Sequence, residues 1–392
     1  MSGVSGVSGE ALYHPRLERI KRAIAFEPVD RVPVVYMGTA FAPRLMGLTL
    51  AQYSADPAVA RDVILAAMER LGDLDGVNLV PGLSPLTFPG VWLSSVAIPG
   101  RDLPDDSLWQ IRESETMKPE DYDVIIEQGW GAFLSGYLPK VADVEELMSA
   151  VGWMMENIPK TVELYREHGF VVVSGLGGMI PFELFCGGRS MHQFYMDLYH
   201  RPDKVQAAMD AIMPQLVADA VQVTKANGTM GGWVGGFRSS SALISPQHWE
   251  RFVFPYFLEM VNAMADADLI SVLHWDGDWT RCLPRLKEFP AKKCLLNVDG
   301  KTDVRKIKEI LDDHVAIMGD VPSSLFATGT PDDVYGYVRD LVRDVGPNGL
   351  ILCPGCDAPG NTPPANMEAF IAASHDFGSG AVPGAVPGAV QP

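Results

Sequence analysis

Two short stretches hold the residues with the most chemical potential in this sequence: His274-Trp-Asp276-Gly-Asp278 and Cys353-Pro-Gly-Cys356. An imidazole, a carboxylate and a thiolate are all zinc ligands, and three protein ligands leave a fourth position open to a reacting molecule. His274 and Asp276 are two apart, the spacing that sends both side chains to one face of an extended strand. If Cys356 ends a strand at the same rim, the three groups converge, and a metal there polarises a bound oxygen or sulfur as a Lewis acid. A second reading stands beside this one, in which His274 and Asp276 form a satisfied polar pair without a metal. The C-x-x-C spacing of Cys353 and Cys356 invites a redox reading. However, Pro359, Gly360, Pro363 and Pro364 keep the chain out of a helix until after Thr362, and a thioredoxin-like dithiol needs that helix. Cys282 and Cys294 are not the second close pair that a structural zinc site requires. Cys356 is therefore the ligand candidate, and Cys353 a small apolar residue within the strand.

The elements that position these residues follow from hydropathy. Short apolar runs fall at 32–36, 77–80, 170–173, 232–234, 269–273, 294–298, 315–318 and 350–352, most of them separated by helix-length amphipathic stretches. Continuous apolar runs are what strands buried on both faces require. Eight of them predict an α/β fold, a (β/α)8 TIM barrel, with the active site where the strands end. His274, Asp276, Asp299, Asp320 and Cys356 all lie within a few residues of a predicted strand C-terminus. Asp299 and Asp320 are candidate catalytic residues there, with helix capping as their alternative role. Glu183, in Pro181-Phe-Glu, is a further catalytic candidate, and Arg44 and Asn297 are candidate substrate contacts.

Between the second and third strands lies a long excursion. Its residues 91–98 and 107–112 alternate around a turn and predict a hairpin. Loops of this length are commonly lids or binding loops, and this one carries Trp92 and Trp109, with Trp130 just beyond. Trp92 and Trp109 are candidate substrate contacts, or equally members of a hairpin that caps the barrel for stability. Ser245-Pro246, Thr330-Pro331 and Thr362-Pro363 place an N-cap before a proline at the first helical position. Pro255 falls inside an aromatic-rich helix that it should bend.

Composition narrows the function classes. The 392 residues carry 49 acidic against 31 basic side chains, a net charge of −18, which is contrary to nucleic-acid binding. A strongly anionic substrate would also be repelled unless arginines cluster locally. No apolar run reaches the roughly 18 residues of a membrane span, and the N-terminus lacks the pattern of a signal peptide. A cytoplasmic protein is expected, its five cysteines being thiols or ligands. Residues 1–13 and the Pro/Gly repeat of 379–392 are expected to be tails around a barrel of 14–378.

With these residues assembled, the sequence resembles the uroporphyrinogen decarboxylase superfamily, which includes cobalamin-dependent methyltransferases. The resemblance covers about 14–378. Its anchors are Glu27-Pro-Val-Asp-Arg-Val-Pro33, Leu243-Ile-Ser-Pro246, the His274 segment and, most specifically, Gly355-Cys-Asp-Ala-Pro-Gly-Asn-Thr-Pro-Pro-Ala-Asn366. It implies a (β/α)8 barrel. The decarboxylase branch uses an arginine pair after the first strand, where this sequence has Met37-Gly-Thr-Ala-Phe-Ala-Pro-Arg44 with one, and a Gly-His near the end, where it has Gly355-Cys356. The methyltransferase branch holds zinc by His-x-Cys and a later Gly-Cys. His274 and Cys356 match that pattern, while Asp276 replaces the middle cysteine. The resemblance thus implies zinc on His274, Asp276 and Cys356, and a corrinoid (cobalamin) carried by a separate protein. A carboxylate in place of a thiolate leaves the metal more Lewis acidic and better suited to an ether oxygen. The expected activity is methyl transfer between a small, aromatic or methoxylated substrate and the corrinoid protein, as in O-demethylation. The alternatives are a decarboxylase acting on a tetrapyrrole or smaller acid, and a non-catalytic barrel. A homodimer is the assembly considered.

Overall fold

In the computed structural model, which describes residues 9–378, the eight apolar runs form eight parallel strands. They are β1 (Val35–Tyr36), β2 (Gly76–Val77), β3 (Val171–Val172, continuing as Ser174–Met179) and β4 (Gly231–Gly236). The remaining four are β5 (Ile270–Trp275), β6 (Cys294–Val298), β7 (Ala316–Val321) and β8 (Leu350–Pro354). Val173 joins the two parts of β3: its N–H donates to Val77 O and its carbonyl accepts from Gly231 N, both at 3.0 Å. The ring closes where Leu352 N–H donates to Pro33 O at 2.8 Å and Val34 pairs in parallel with Leu352. The fold is the expected (β/α)8 barrel, and β6 has the predicted bounds.

Strand alternation separates two cores. Val35, Val171, Val173, Val272, Leu295, Ala316, Met318, Ile351 and Cys353 fill the barrel interior. Their neighbours Tyr36, Val172, Leu273, Leu296, Ile317 and Leu352 face the helices in a larger apolar cluster. Cys353 is an interior apolar residue, as its place in the run suggests. One step further along the interior face, the register sets His274 of β5 opposite Asn297 of β6, and Asn297 opposite Met318 of β7. The interior changes from apolar to polar at this level.

The opposite end is sealed by ions. Asp75, fully buried before β2, accepts from Arg19, from Arg31 Nη1 at 2.7 Å and Nη2 at 3.1 Å, and from Val34 N at 2.8 Å. Asp30 pairs with Arg19 on the outside at 2.6 Å. The Glu27–Pro33 segment therefore has a structural task, tying the first helix (Gly9–Ile24) and β1 to β2.

Several expectations need correction. The first helix begins at Gly9, inside the expected N-terminal tail; the rest of that tail and 379–392 lie outside the described residues. The hairpin forms, but shorter, as Ser95–Ala97 antiparallel to Gln110–Arg112. Pro89 starts a short helix, Phe88–Trp92, which takes Val91 and Trp92 out of the strand. Pro255 splits its helix: Pro246–Phe252 ends and Phe254–Asp266 begins anew with the proline in its first turn. Ser245 and Thr330 cap as expected, accepting from His248 N and Asp333 N. The last helix starts later, at Pro364, and the Thr362 hydroxyl has no partner. Among the described residues, no helix is long and apolar enough to cross a membrane.

Asp75→Ala leaves two arginines at the barrel base without their shared carboxylate, and removal of one partner from a buried ion cluster costs about 3–5 kcal/mol. Denaturant unfolding followed by circular dichroism should show a loss of this size.

Candidate metal centre

Three side chains converge at the C-terminal rim of the barrel. His274, on β5, continues the interior face of Val272. Asp276 follows it by two residues and Cys356 follows β8 by two. One ligand atom from each lies within 4.8 Å of the others: His274 Nε2 is 3.5 Å from Asp276 Oδ1 and 3.8 Å from Cys356 Sγ. Tetrahedral zinc with bonds of the usual length separates its ligand atoms by about 3.3–3.8 Å, so these spacings suit it. Asp276 Oδ1 is sealed from water and has no hydrogen-bond partner among the described residues. A buried acceptor left this way needs a cation or donor, and a nitrogen, oxygen and sulfur donor set is one that zinc accepts.

The tautomer of His274 follows from its neighbours. Asn297 Nδ2 donates to the Met318 carbonyl at 2.8 Å, which turns Asn297 Oδ1 toward His274 Nδ1, 2.6 Å away. Because that oxygen only accepts, Nδ1 must carry the proton and Nε2 presents its lone pair to the cluster. Asn78 Nδ2 also donates to Asn297 Oδ1, at 3.3 Å, and Asn78 Oδ1 accepts from Ser174 Oγ at 2.8 Å. Trp233 stacks on the imidazole with ring centroids 5.5 Å apart. A Cβ on Gly235 would stand 2.5 Å from the Trp233 ring, so only glycine leaves the ring this place.

The electrostatics favour a cation. Burial raises the Asp276 pKa, the nearby Asp299 charge adds to the shift and His274 opposes it. The Cys356 thiol is pushed up to about 12, first by burial and then by the charges of Asp276 and Asp357. Asp357 is also raised by burial, against the Ala40 and Thr39 N–H groups that donate to it at 2.9 and 2.5 Å. Three carboxylates and a thiol share one rim with the imidazole, and Arg44 and Lys301 line the groove beside them.

Two cavities meet here. A narrower and more enclosed one (the closed cavity) of about 330 Å³ is walled by Phe88, Trp92, Trp109, Trp233 and other apolar residues, and reaches His274. An open groove of about 1010 Å³ contains Arg44, Asp106, Asp299 and Lys301. Trp92 and Trp109 stack at 5.4 Å in the closed wall, while Trp130 packs on Phe133 and Phe185. Arg44 lies in the groove, paired with Asp106 at 2.7 Å. Asp299 also lies there, accepting from Gly277 N and Lys301 N at 3.0 Å, which holds the turn after Asp276.

Three candidates have other tasks. Asp320 lines neither cavity; its carboxyl accepts from Tyr337 in the outer helix Pro331–Asp344 at 2.8 Å, and burial pushes its pKa up to about 6. Glu183, fully buried, accepts from Phe237 N and Ser239 N at 2.9 Å, Arg238 N at 3.2 Å and Ser239 Oγ at 2.6 Å, anchoring the loop after β4. Asn297 is fully buried and lines neither cavity; its Oδ1 meets His274 and Asn78 and its Nδ2 donates to the Met318 carbonyl, so it orients His274. Sequence reasoning missed Asn78, Ser174, Asp357 and Trp233. Asn78 had a signal, a polar residue inside an apolar run. Asp357 stood beside a proposed ligand.

These observations define a class: a (β/α)8 barrel with a histidine, a carboxylate and a thiol placed at its C-terminal mouth where they could hold a metal ion. A family model described as uroporphyrinogen decarboxylase (URO-D) matches residues 122–377. The chain belongs to the uroporphyrinogen decarboxylase family. Among its relatives is a methylcobamide:CoM methyltransferase MtbA of Methanosarcina acetivorans, 26% identical over 58% of this chain and 64% of that relative. The MtbA of Methanosarcina mazei is 22% identical over 93% of this chain and 98% of its own. The uroporphyrinogen decarboxylase of Geobacter metallireducens is 23% identical over 89% and 95%. A solved structure of a methyltransferase from Methanosarcina mazei superposes with a TM-score of 0.69 at 18% identity, covering 95% of this chain and 99% of that one, which shows the shared fold.

Two predictions concern the cluster. Asn297→Ala frees the imidazole to rotate and should weaken zinc binding about 10–100-fold, as loss of a ligand-orienting partner does; competition with a chromophoric chelator measures it. The raised Cys356 thiol is protonated at neutral pH without a metal, so zinc must displace its proton, and affinity should rise with pH by about tenfold per unit per proton released. Calorimetry in buffers of different ionisation enthalpy counts those protons.

Proposed function

We propose that this chain is a zinc-assisted methyltransferase, moving a methyl group between a small aromatic, methoxylated substrate and a corrinoid carried by a separate protein. One observation carries the reading: the closed apolar cavity and the open groove share only Asp276, Cys356 and Asp357. Two of these are candidate metal ligands, so a molecule in either cavity faces the same centre. The closed cavity is at the small end of ligand-pocket sizes and its aromatic wall suits a flat ring. The open groove is three times larger and admits a bulky group presented by a partner. The MtbA relatives, by name, transfer methyl groups from methylcobamide, which supports the corrinoid as the second reactant.

Zinc with an open coordination position supplies Lewis acidity toward a substrate oxygen or sulfur. The chain's own residues set how it does so. Asn297 keeps the His274 lone pair on the cluster. Asp276, a harder donor than cysteine, suits an oxygen substrate. Trp92, Trp109 and Phe88 exclude water from the ring and hold its methylated oxygen toward the rim. That oxygen keeps the bonding electron pair as its methyl group departs to the acceptor.

The decarboxylase relatives supply a second reading. The mouth opposes it: Asp276, Asp299 and Asp357 lie there against Lys301, and Arg44, the guanidinium that lines the groove, is already paired with Asp106. A substrate with several carboxylates meets net repulsion there.

Metal analysis and a methyl-transfer assay with 2-methoxyphenol and chemically reduced free cobalamin separate the readings. Stoichiometric zinc with formation of methylcobalamin is expected; no zinc, with turnover of uroporphyrinogen, would replace this reading by the decarboxylase. Cys356→Ala should lose both zinc and methyl transfer, while Cys353→Ala should alter neither appreciably. Asp276→Cys should retain zinc but lose activity toward the ether. If Asp276→Ala holds zinc as tightly as the wild type, Asp276 is not a ligand.

A further inference from the structure

A cleft of about 440 Å³ lies at the base of the barrel, between the first helix and the turns that lead into β4, β5 and β6. It is at the opposite end of the strands from His274. Leu17 and Ile24 of the helix, with Val171 and Ile270 at the starts of β3 and β5, give it apolar walls. Its charged lining is Lys21, Lys292 and Lys293 against a single carboxylate, Asp268. Contacts place these groups. Lys293 Nζ meets Asp268 Oδ1 at 2.5 Å, and Lys292 Nζ donates at 2.9 Å to the carbonyl of Ala25, which also lines the cleft. Lys293, and after it the charge of Lys21, hold the Asp268 carboxyl below its ordinary pKa. The Lys21 ammonium pairs with no carboxylate among the described residues. An ammonium group has three donor hydrogens, so each lysine keeps at least two uncommitted. Asp268 and Lys292 both stand at positive φ, 59° and 60°. That backbone is unstrained for glycine and costly for a lysine, and such strain gathers where ligands are held. The chain carries a net charge of −18, so a surplus of ammonium groups in one cleft is a local exception.

We infer that this cleft is a second binding site, separate from the metal centre, for a small amphipathic monoanion: a medium-chain carboxylate. Its head takes the uncommitted N–H groups of Lys21, Lys292 and Lys293, and its alkyl chain lies along Leu17, Ile24, Val171 and Ile270. Both parts are needed. A wholly polar anion leaves the apolar walls in water, and a neutral chain forgoes the charge-assisted hydrogen bonds. Asp268 among the lysines favours one negative charge over two, because its repulsion grows in proportion to the charge of the ligand. The cleft is within the range of small-molecule sites, about 300–1,000 Å³.

Titration calorimetry of the full-length protein with octanoate, acetate and 1-octanol tests both halves of this inference. Octanoate should bind about tenfold more tightly than either of the others, a difference of one decade in Kd, and more weakly as salt is raised. Lys21→Met keeps the apolar stem and removes the charge; it should weaken octanoate about fivefold, the upper end for an exposed ion pair. Lys21→Glu should abolish octanoate binding. Both variants should keep the wild-type unfolding midpoint and 1-octanol affinity. Equal affinity for octanoate and 1-octanol would overturn the role of the lysines, and equal affinity for octanoate and acetate that of the apolar walls. Octanoate binding unchanged in Lys21→Glu would overturn the site itself, since an acid held at the metal rim is indifferent to a residue at the other end of the strands.

Discussion

The hydrogen bond from His274 Nδ1 to Asn297 Oδ1 is the contact on which the mouth of this barrel depends. It decides which imidazole nitrogen faces the ligand cluster, and its direction is fixed by backbone, because Asn297 Nδ2 is spent on the Met318 carbonyl. Strand register brings these groups together: β5, β6 and β7 place His274, Asn297 and Met318 side by side. Asn78 and Ser174 continue the chain across β2 and β3, so one polar layer crosses the interior between apolar packing and mouth. Every member has a partner in a low-dielectric setting, which makes the layer rigid and loss of any member costly.

Negative charge dominates the rim above this layer. Asp276, Asp299, Asp357 and the Cys356 thiol lie together; burial raises the pKa values of Asp276, Asp357 and Cys356, and neighbouring carboxylates add to the shifts of Asp276 and Cys356. A cation bound between His274, Asp276 and Cys356 reverses that balance, releasing protons as it binds. The barrel base has the opposite arrangement, with Asp75 fully neutralised by Arg19 and Arg31. One end is thus an ion cluster already complete, the other one arranged to take a cation.

The barrel was legible because a parallel sheet enclosed by helices needs strands that are apolar on both faces, and the eight runs have that pattern. The convergence of His274, Asp276 and Cys356 was legible from strand ends and the i, i+2 spacing. Side-chain direction near the strand ends was not. Asp320 is the penultimate residue of β7 as His274 is of β5, yet its carboxyl meets Tyr337, a partner supplied by the helix packing. Glu183 was invisible as an anchor because three of its four partners, the N–H groups of 237–239, are main chain and have no sequence signature. Asn297 was placed at a strand end, but its partners His274, Asn78 and Met318 come from other strands and could not be read from its own run.

The two parts of the mouth come from different layers of the chain. The ligand cluster is built on β5 and β8, braced by the polar layer, whereas Trp92 and Trp109 come from the long insertion between β2 and β3. Residues in that insertion can change in size or number without disturbing strand register, because no barrel hydrogen bond passes through the hairpin Ser95–Ala97 and Gln110–Arg112. Selectivity and reactivity are therefore separable traits in this scaffold. A lineage can exchange one small molecule for another by remodelling the insertion while inheriting the reactive centre unaltered.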